Sequence, residues 1–254
     1  MLVICNGAIK SGSTWLYNIL LNLRTFERPP EQYLTANSRK RTKNPCIEPD
    51  LLESFLRSED VTNRHFLSKN HIGRPAHRDL LVSNPHVLVF DIDRDVRDMV
   101  VSAYYDDCNR NGYQGTFAKH YWERGRYLAD DVIRYHALWR NTGDRFCMVS
   151  YEGLHADFAS QVLPIAKMLA IELDAEGVAQ LKERTSIGTL RKRYQDEALY
   201  KDDKFFRRGV VGDWQNHFDK AIEDDLASIE RNGIGALDRR LLLKKFRHAL
   251  HRRR

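Results

Sequence analysis

The chain has 254 residues, 42% hydrophobic and 30% charged, with 41 Lys+Arg against 35 Asp+Glu and a formal charge of +6. That length buries a sizeable core as one large domain or two small ones, and an aromatic share of 10% argues against disorder. No stretch approaches the ~18 to 20 apolar residues of a membrane span, and Cys5, Cys46, Cys108 and Cys147 have neither zinc-ligand spacing nor the look of a disulfide framework.

The segment 1–6 is short, β-branched and apolar and runs into a glycine, which predicts a buried strand and not a signal peptide. A helical stripe follows over 14–23 through Trp15, Leu16, Ile19, Leu20 and Leu23. Residues 25–50 carry four prolines and a basic run with Arg39, Arg41 and Lys43, and read as a long exposed insertion. A short helix is expected over 51–56 and a short strand at 65–67. The run Val87 to Ile92 is the strongest strand signal, since continuous apolar residues suit a strand covered on both faces. Helical patterns occupy about 97–107 and 130–140, a buried strand 145–150, and helices about 158–170, 175–184 and 219–231. Strands alternating with helices predict parallel βαβ units in a three-layer α/β fold with a central parallel sheet, organised as a single domain over 1–254.

The turn between the first strand and helix carries the chemistry. In Gly7-Ala-Ile-Lys10-Ser11-Gly12-Ser13-Thr14-Trp15, glycines let backbone approach a ligand and the helix N-terminus offers unpaired N–H groups. Ser11, Ser13 and Thr14 add hydroxyls and Lys10 a point charge, which together make a phosphate cradle. The glycine spacing is that of a nucleotide-triphosphate P-loop, but Ser13 stands at the lysine position and the lysine has moved to Lys10. A magnesium-dependent kinase therefore fits poorly, and no metal site is expected. The bland alternative is a helix capped by Ser11 or Ser13 with Lys10 exposed.

Four segments in order resemble the cytosolic-type sulfotransferases. Lys10 to Trp15 resembles P-K-S-G-T-T-W. Leu67-Ser-Lys69-Asn70-His71 resembles K-T-H-L-P, with Asn70 for threonine and Gly73 for proline. Arg94 to Tyr105 resembles R-N-P-x-D-x-x-V-S-x-Y. Phe206 to Phe218 resembles F-x-R-K-G-x-x-G-D-W-K-x-x-F, with Arg208 for the lysine. Weaker echoes are Tyr151-Glu152-Gly153-Leu154 and Thr185-Ser186-Ile187.

This resemblance implies a P-loop-like fold. It also implies transfer of a sulfuryl group from 3′-phosphoadenosine 5′-phosphosulfate (PAPS) to an acceptor hydroxyl or amine. It makes His71 the base, with Lys10 on the bridging oxygen and the leaving 5′-phosphate and Lys69 on the sulfonate. The 5′-phosphate falls to Lys10, Ser11, Gly12, Ser13 and Thr14. The 3′-phosphate falls to Arg94, Ser102, Arg207, Arg208 and Gly209. Trp15, Tyr151 and Thr185 lie toward the adenine and ribose by the same analogy, although each fits a core or capping role equally well.

Segments 25–65 and 106–145 match no motif and are expected to line the acceptor pocket. Their charges tilt the expectation toward a polar acceptor such as a glycan, glycolipid or peptide. A nucleotide kinase, an inactive nucleotide-binding protein and a nucleic-acid binder using the basic tail at 244–254 are the rival classes. A strand starting at residue 2 leaves no room for an anchor, so a cytoplasmic enzyme is expected. Residues after Trp214 do not resemble the family's dimerisation motif, so the oligomeric state stays open.

Overall fold

A computed structural model describes residues 1–39, 44–140, 142–196 and 208–235. Its contacts divide the chain into two compact units, Met1–Asp95 with Tyr135–Val211, and Val96–Arg134 with the described part of Gly212–Arg254.

The first unit holds a four-stranded parallel sheet in the order β2-β1-β3-β4. Its strands are β1 (Leu2–Gly7), β2 (Phe66–Lys69), β3 (Val87–Asp93) and β4 (Phe146–Ser150). Register pairs Cys5 with Lys69 and with Phe90, and Asn6 with Asp91. The central strands β1 and β3 are buried along nearly their whole length, as their mostly apolar runs require. Sequence reasoning expected β4 to be buried too. It instead alternates, with Met148 exposed, because it lies at the edge of the described sheet.

Helices α1 (Ser13–Leu23), α2 (Leu52–Leu56), α3 (Asp60–Asn63) and α4 (Pro75–Ser83) join the first three strands. After β4 come α8 (Tyr151–Ala156), α9 (Phe158–Met168), α10 (Ala175–Arg184) and α11 (Ile187–Asp196). Leu16, Ile19 and Leu20 of α1 pack with Val3, Phe90, Val149, Phe158 and Val162 into one core. The segment 25–50 is not the exposed insertion expected. Leu34 and Ile47 are fully buried and bridge each other, and the Lys69 amide donates to the Pro45 carbonyl at 2.7 Å. The segment thereby covers the open edge of β2. Arg41 and Lys43 fall outside the described residues.

The second unit contains α5 (Val96–Asn111), α6 (Phe117–His120), a π-helical turn at Tyr121–Gly125, the start of α7 (Arg126–Trp139) and α12 (Lys220–Asn232). Helix α5 runs four residues beyond the sequence expectation. Val100, Val101, Phe117, Tyr121, Ile222 and Leu226 form its core. Arg126 grips Asp225 with two bonds of 2.7 and 3.1 Å, and the Tyr121 hydroxyl donates to the same carboxylate at 2.9 Å. Among the described residues no helix is long and apolar enough to cross a membrane.

Candidate active site

In open parallel sheets ligands bind beyond the carboxyl ends of the strands. Lys10 follows β1, Lys69 ends β2 and His71 lies two residues on, Arg94 follows β3, and Tyr151 follows β4. Four separate motifs thus converge on one end of one sheet.

The turn after β1 is built for close approach. The N-cap of α1 is Gly12, at φ 98°, with no side-chain cap bond, so the capping alternative for Ser11 and Ser13 is overturned. A Cβ on Gly12 would sit 2.6 Å from the Tyr151 ring, and one on Gly7 2.5 Å from Ser11 Oγ. Ser11 is fully buried and its hydroxyl has no partner among the described residues. Lys10 occupies the left-handed region at φ 73° without being glycine. Such a conformation costs about 1 to 2 kcal/mol and is found where function over-determines the backbone. An orphaned buried hydroxyl, uncapped helix amides and a strained lysine fit a phosphate group well.

Arg94 ties this turn to the rest. Its Nη1 donates to the Lys10 carbonyl at 3.3 Å and its Nη2 to the Val210 carbonyl at 3.2 Å. The guanidinium lies over the Tyr151 ring at 4.1 Å. Gly209, at φ 61°, presses on Ile187, whose Cδ1 would be 2.3 Å from a Cβ there. Arg208 is exposed on the same segment, and Arg207 lies outside the described residues. Ser102 is half-buried on α5 in the second unit.

His71 is solvent-accessible, yet protein atoms crowd one side of its ring, where Nδ1 meets the Gly7 backbone. Its Nδ1 lies 2.6 Å from the Gly7 carbonyl oxygen. A carbonyl only accepts, so Nδ1 carries the proton and Nε2 keeps its lone pair. Crowding, and then the Lys69 charge, push the imidazole pKa down to about 4, against a smaller upward pull from the Gly7 carbonyl. Burial and then the Lys10 charge lower the Lys69 pKa in turn, partly offset by Cys5 and Cys46. Asn70, the departure from threonine, has a plain structural task. Its Nδ2 donates to the Ile47 carbonyl at 2.8 Å and its Oδ1 accepts from Ser68 Oγ at 2.5 Å, which fastens the covering segment to β2.

The remaining candidates are more architectural than expected. Trp15 meets Tyr151 edge-on at 5.5 Å and His155 at 4.9 Å, and its buried indole N–H has no partner among the described residues. Tyr151 is buried between Gly12 and Arg94 and serves both as a platform. Thr185 is fully buried and donates to the Leu181 carbonyl at 2.8 Å at the end of α10. Sequence reasoning missed Asp98. Its carboxylate accepts from the Gly212 amide at 2.7 Å and the Trp214 amide at 2.9 Å, while Arg97 lies over the Trp214 ring at 3.6 Å. The conspicuous Gly-Asp-Trp run is therefore a turn locked onto α5. The charges of 106–126 largely neutralise one another, Arg110 with Asp106, Arg124 with Asp107 and Lys119 with Glu123, so they do not argue for a polar acceptor.

A parallel α/β sheet with an uncapped glycine turn after its first strand, and basic residues at the ends of β2 and β3, defines a P-loop-like protein built to hold phosphate. The family model described as "Sulfotransferase domain" matches residues 2–237, and the chain belongs to that family. Its relatives include mouse sulfotransferase 2A1, 26% identical over 86% of this chain and 81% of that protein. A glycolipid sulfotransferase of Mycobacterium bovis is 22% identical, covering 86% of this chain and 80% of that one. Among solved structures, mouse sulfotransferase SULT7A1 complexed with PAP superimposes with a TM-score of 0.65 at 22% identity, over 98% of this chain and 88% of that one. Retinol dehydratase in complex with androsterone and PAP gives a TM-score of 0.60 at 17% identity, over 92% and 81%.

Proposed function

We propose that this chain transfers a sulfuryl group from PAPS to an acceptor hydroxyl, with His71 as general base. The observation that carries the reading is the 2.6 Å contact between His71 Nδ1 and the Gly7 carbonyl, which leaves Nε2 free to take a proton. PAPS, when bound, supplies the sulfuryl group and an adenosine 3′,5′-bisphosphate leaving group. The chain supplies positioning and charge. Nε2 of His71 accepts the acceptor's proton. Lys10 and Lys69 place positive charge at the ends of β1 and β2, where negative charge develops. The amides of Gly12, Ser13 and Thr14 and the Ser11 hydroxyl hold the 5′-phosphate. Arg94, with Arg208 and Gly209, holds the 3′-phosphate through the planar fork that suits such a group.

The acceptor is a hydroxyl compound, and the named relatives span glycolipid and small-molecule chemistry. Calorimetric titration with adenosine 3′,5′-bisphosphate, with ADP as control and no magnesium, tests the cofactor. Tight bisphosphate binding with weak ADP binding supports it, and equal or absent binding overturns it. Transfer from radiolabelled PAPS across glycolipid, sterol and phenol acceptors then tests the reaction.

A further inference from the structure

Beneath His71 lies a buried polar chain that the transfer chemistry does not itself use. Asp91, in the middle of β3, interrupts an apolar strand and is almost fully buried. Its Oδ2 accepts from Asn6 Nδ2 at 2.7 Å and from the Tyr135 hydroxyl at 2.5 Å. Each donor leads to the backbone beside His71. Asn6 Oδ1 accepts the Ile72 amide at 2.9 Å, and both Asn6 contacts demand the same amide orientation. The Tyr135 ring packs against the same loop, 3.8 Å from where a Cβ on Gly73 would stand, and the Gly7 carbonyl, next to Asn6, is the partner of His71 Nδ1. Trp139 completes the clamp, its Nε1 donating to the Ile72 carbonyl at 2.7 Å.

We propose that Asp91 is a positioning residue for the His71 base, acting through Asn6 and Tyr135 to fix the Gly7 and Ile72 backbone that sets the ring's orientation and tautomer. This rests on the reading of His71 as the base. A buried carboxyl whose second oxygen has no partner among the described residues is unfavourable by itself. An apolar residue, like its neighbours on β3, would pack without that penalty. What the carboxyl adds is a fixed acceptor for two side chains, and both end at atoms next to the imidazole. Burial also raises the Asp91 pKa to about 7, as expected of a carboxyl held in an apolar layer despite its two donors.

The test reads the ring directly and needs no acceptor. The 254-residue protein labelled with 15N-histidine is saturated with adenosine 3′,5′-bisphosphate, and the His71 ring nitrogens are followed by NMR against pH. Asp91→Asn and Tyr135→Phe are compared with wild type, and His71→Asn assigns the signals. Wild type is expected to hold the Nδ1–H form. Both variants are expected to change the tautomer ratio at least about threefold. Bisphosphate affinity should stay within about twofold, because the phosphate-holding residues are untouched. Should Asp91→Asn fail to fold, Tyr135→Phe decides, since it removes one hydroxyl and keeps the ring. Ring signals of a folded Tyr135→Phe that match wild type overturn the proposal. With 2-naphthol as probe acceptor, kcat should fall about tenfold in both variants at unchanged KM for PAPS. A His71→Ala protein with undiminished turnover overturns the base reading and this proposal with it. That result is distinct from an inert His71→Ala accompanied by unchanged rings in the Asp91 and Tyr135 variants.

Discussion

Arg94 Nη1 donates to the carbonyl oxygen of Lys10 at 3.3 Å, so the arginine read as a 3′-phosphate ligand also braces the one strained non-glycine backbone of the phosphate turn. The same guanidinium reaches Val210 and covers Tyr151. Arg94→Lys keeps a charge but loses the fork that reaches two carbonyls. We expect adenosine 3′,5′-bisphosphate affinity to fall about tenfold or more, while weak ADP binding changes by less than about threefold. Paired calorimetric titrations of both nucleotides check this. A parallel loss for both would place the arginine's role in the turn alone.

The His71 imidazole gives a prediction in pH. Its pKa is depressed, so the ring is neutral at and well below neutrality in the free protein. The acid limb of kcat/KM should therefore lie below the ordinary imidazole value near 6.5. Bound PAPS adds negative charge nearby and favours the imidazolium, so the acid limb of kcat should lie at higher pH than that of kcat/KM. His71→Ala should lower kcat by about 10² to 10⁴ and leave bisphosphate affinity within about twofold. Coincident limbs in the two profiles would count against a base seated beside the nucleotide.

Asp91 and His71 pull stability in opposite directions. The Asp91 pKa is raised, so its contribution is fully present below the unfolded carboxylate value and is lost as pH rises through about 7. The His71 pKa is lowered, so its contribution is present above 6.5 and is lost as pH falls toward about 4. Asn6, Tyr135, His136 and Asp93 face Asp91 and modulate it, burial being the largest cause. Urea unfolding of wild type and Asp91→Asn at pH 5.5 and pH 8 separates the two groups. The stability of wild type relative to the variant should decline between those values, and a difference independent of pH would contradict the assignment.

Strands β1, β3 and β4 were legible as short, mostly apolar runs bounded by turn residues and β2 from Phe66 and Leu67 alone, and the turn at 7–15 carries its chemistry in consecutive residues. Less legible were features set by packing and pairing that hydrophobic periodicity does not display. Helix α4 has a proline in its first turn but only a weak apolar stripe, with Leu81 as its buried residue. The segment 25–50 looked exposed because its prolines and basic residues outnumber anchoring apolar residues such as Leu34 and Ile47. The charges of 106–126 suggested a ligand surface, whereas their partners lie mostly four to seventeen residues away in the same unit. Asp91 did leave a trace, a carboxylate inside the run Val87 to Ile92, but its pairing with Asn6 exists only through the β1–β3 register.

Asp98 carries the last prediction. It is almost fully buried, and its two oxygens take the Gly212 and Trp214 amides, so one carboxylate closes a turn in which Gly212 sits at φ 82°. Hydrogen bonds to an ionised acceptor are each worth about 1.5 to 3 kcal/mol, and removing that acceptor strands two amides. Asp98→Ala should therefore destabilise the protein by about 2 to 4 kcal/mol. At this chain length each kcal/mol lowers Tm by about 2 to 4 °C. Asp98→Asn keeps one acceptor oxygen and should lose roughly half as much, because its amide group cannot accept from the second N–H. Calorimetric melting of the three proteins checks the order. Equal Tm values for wild type and Asp98→Asn would mean that packing of Trp214 against Arg97, and not the carboxylate, holds the turn.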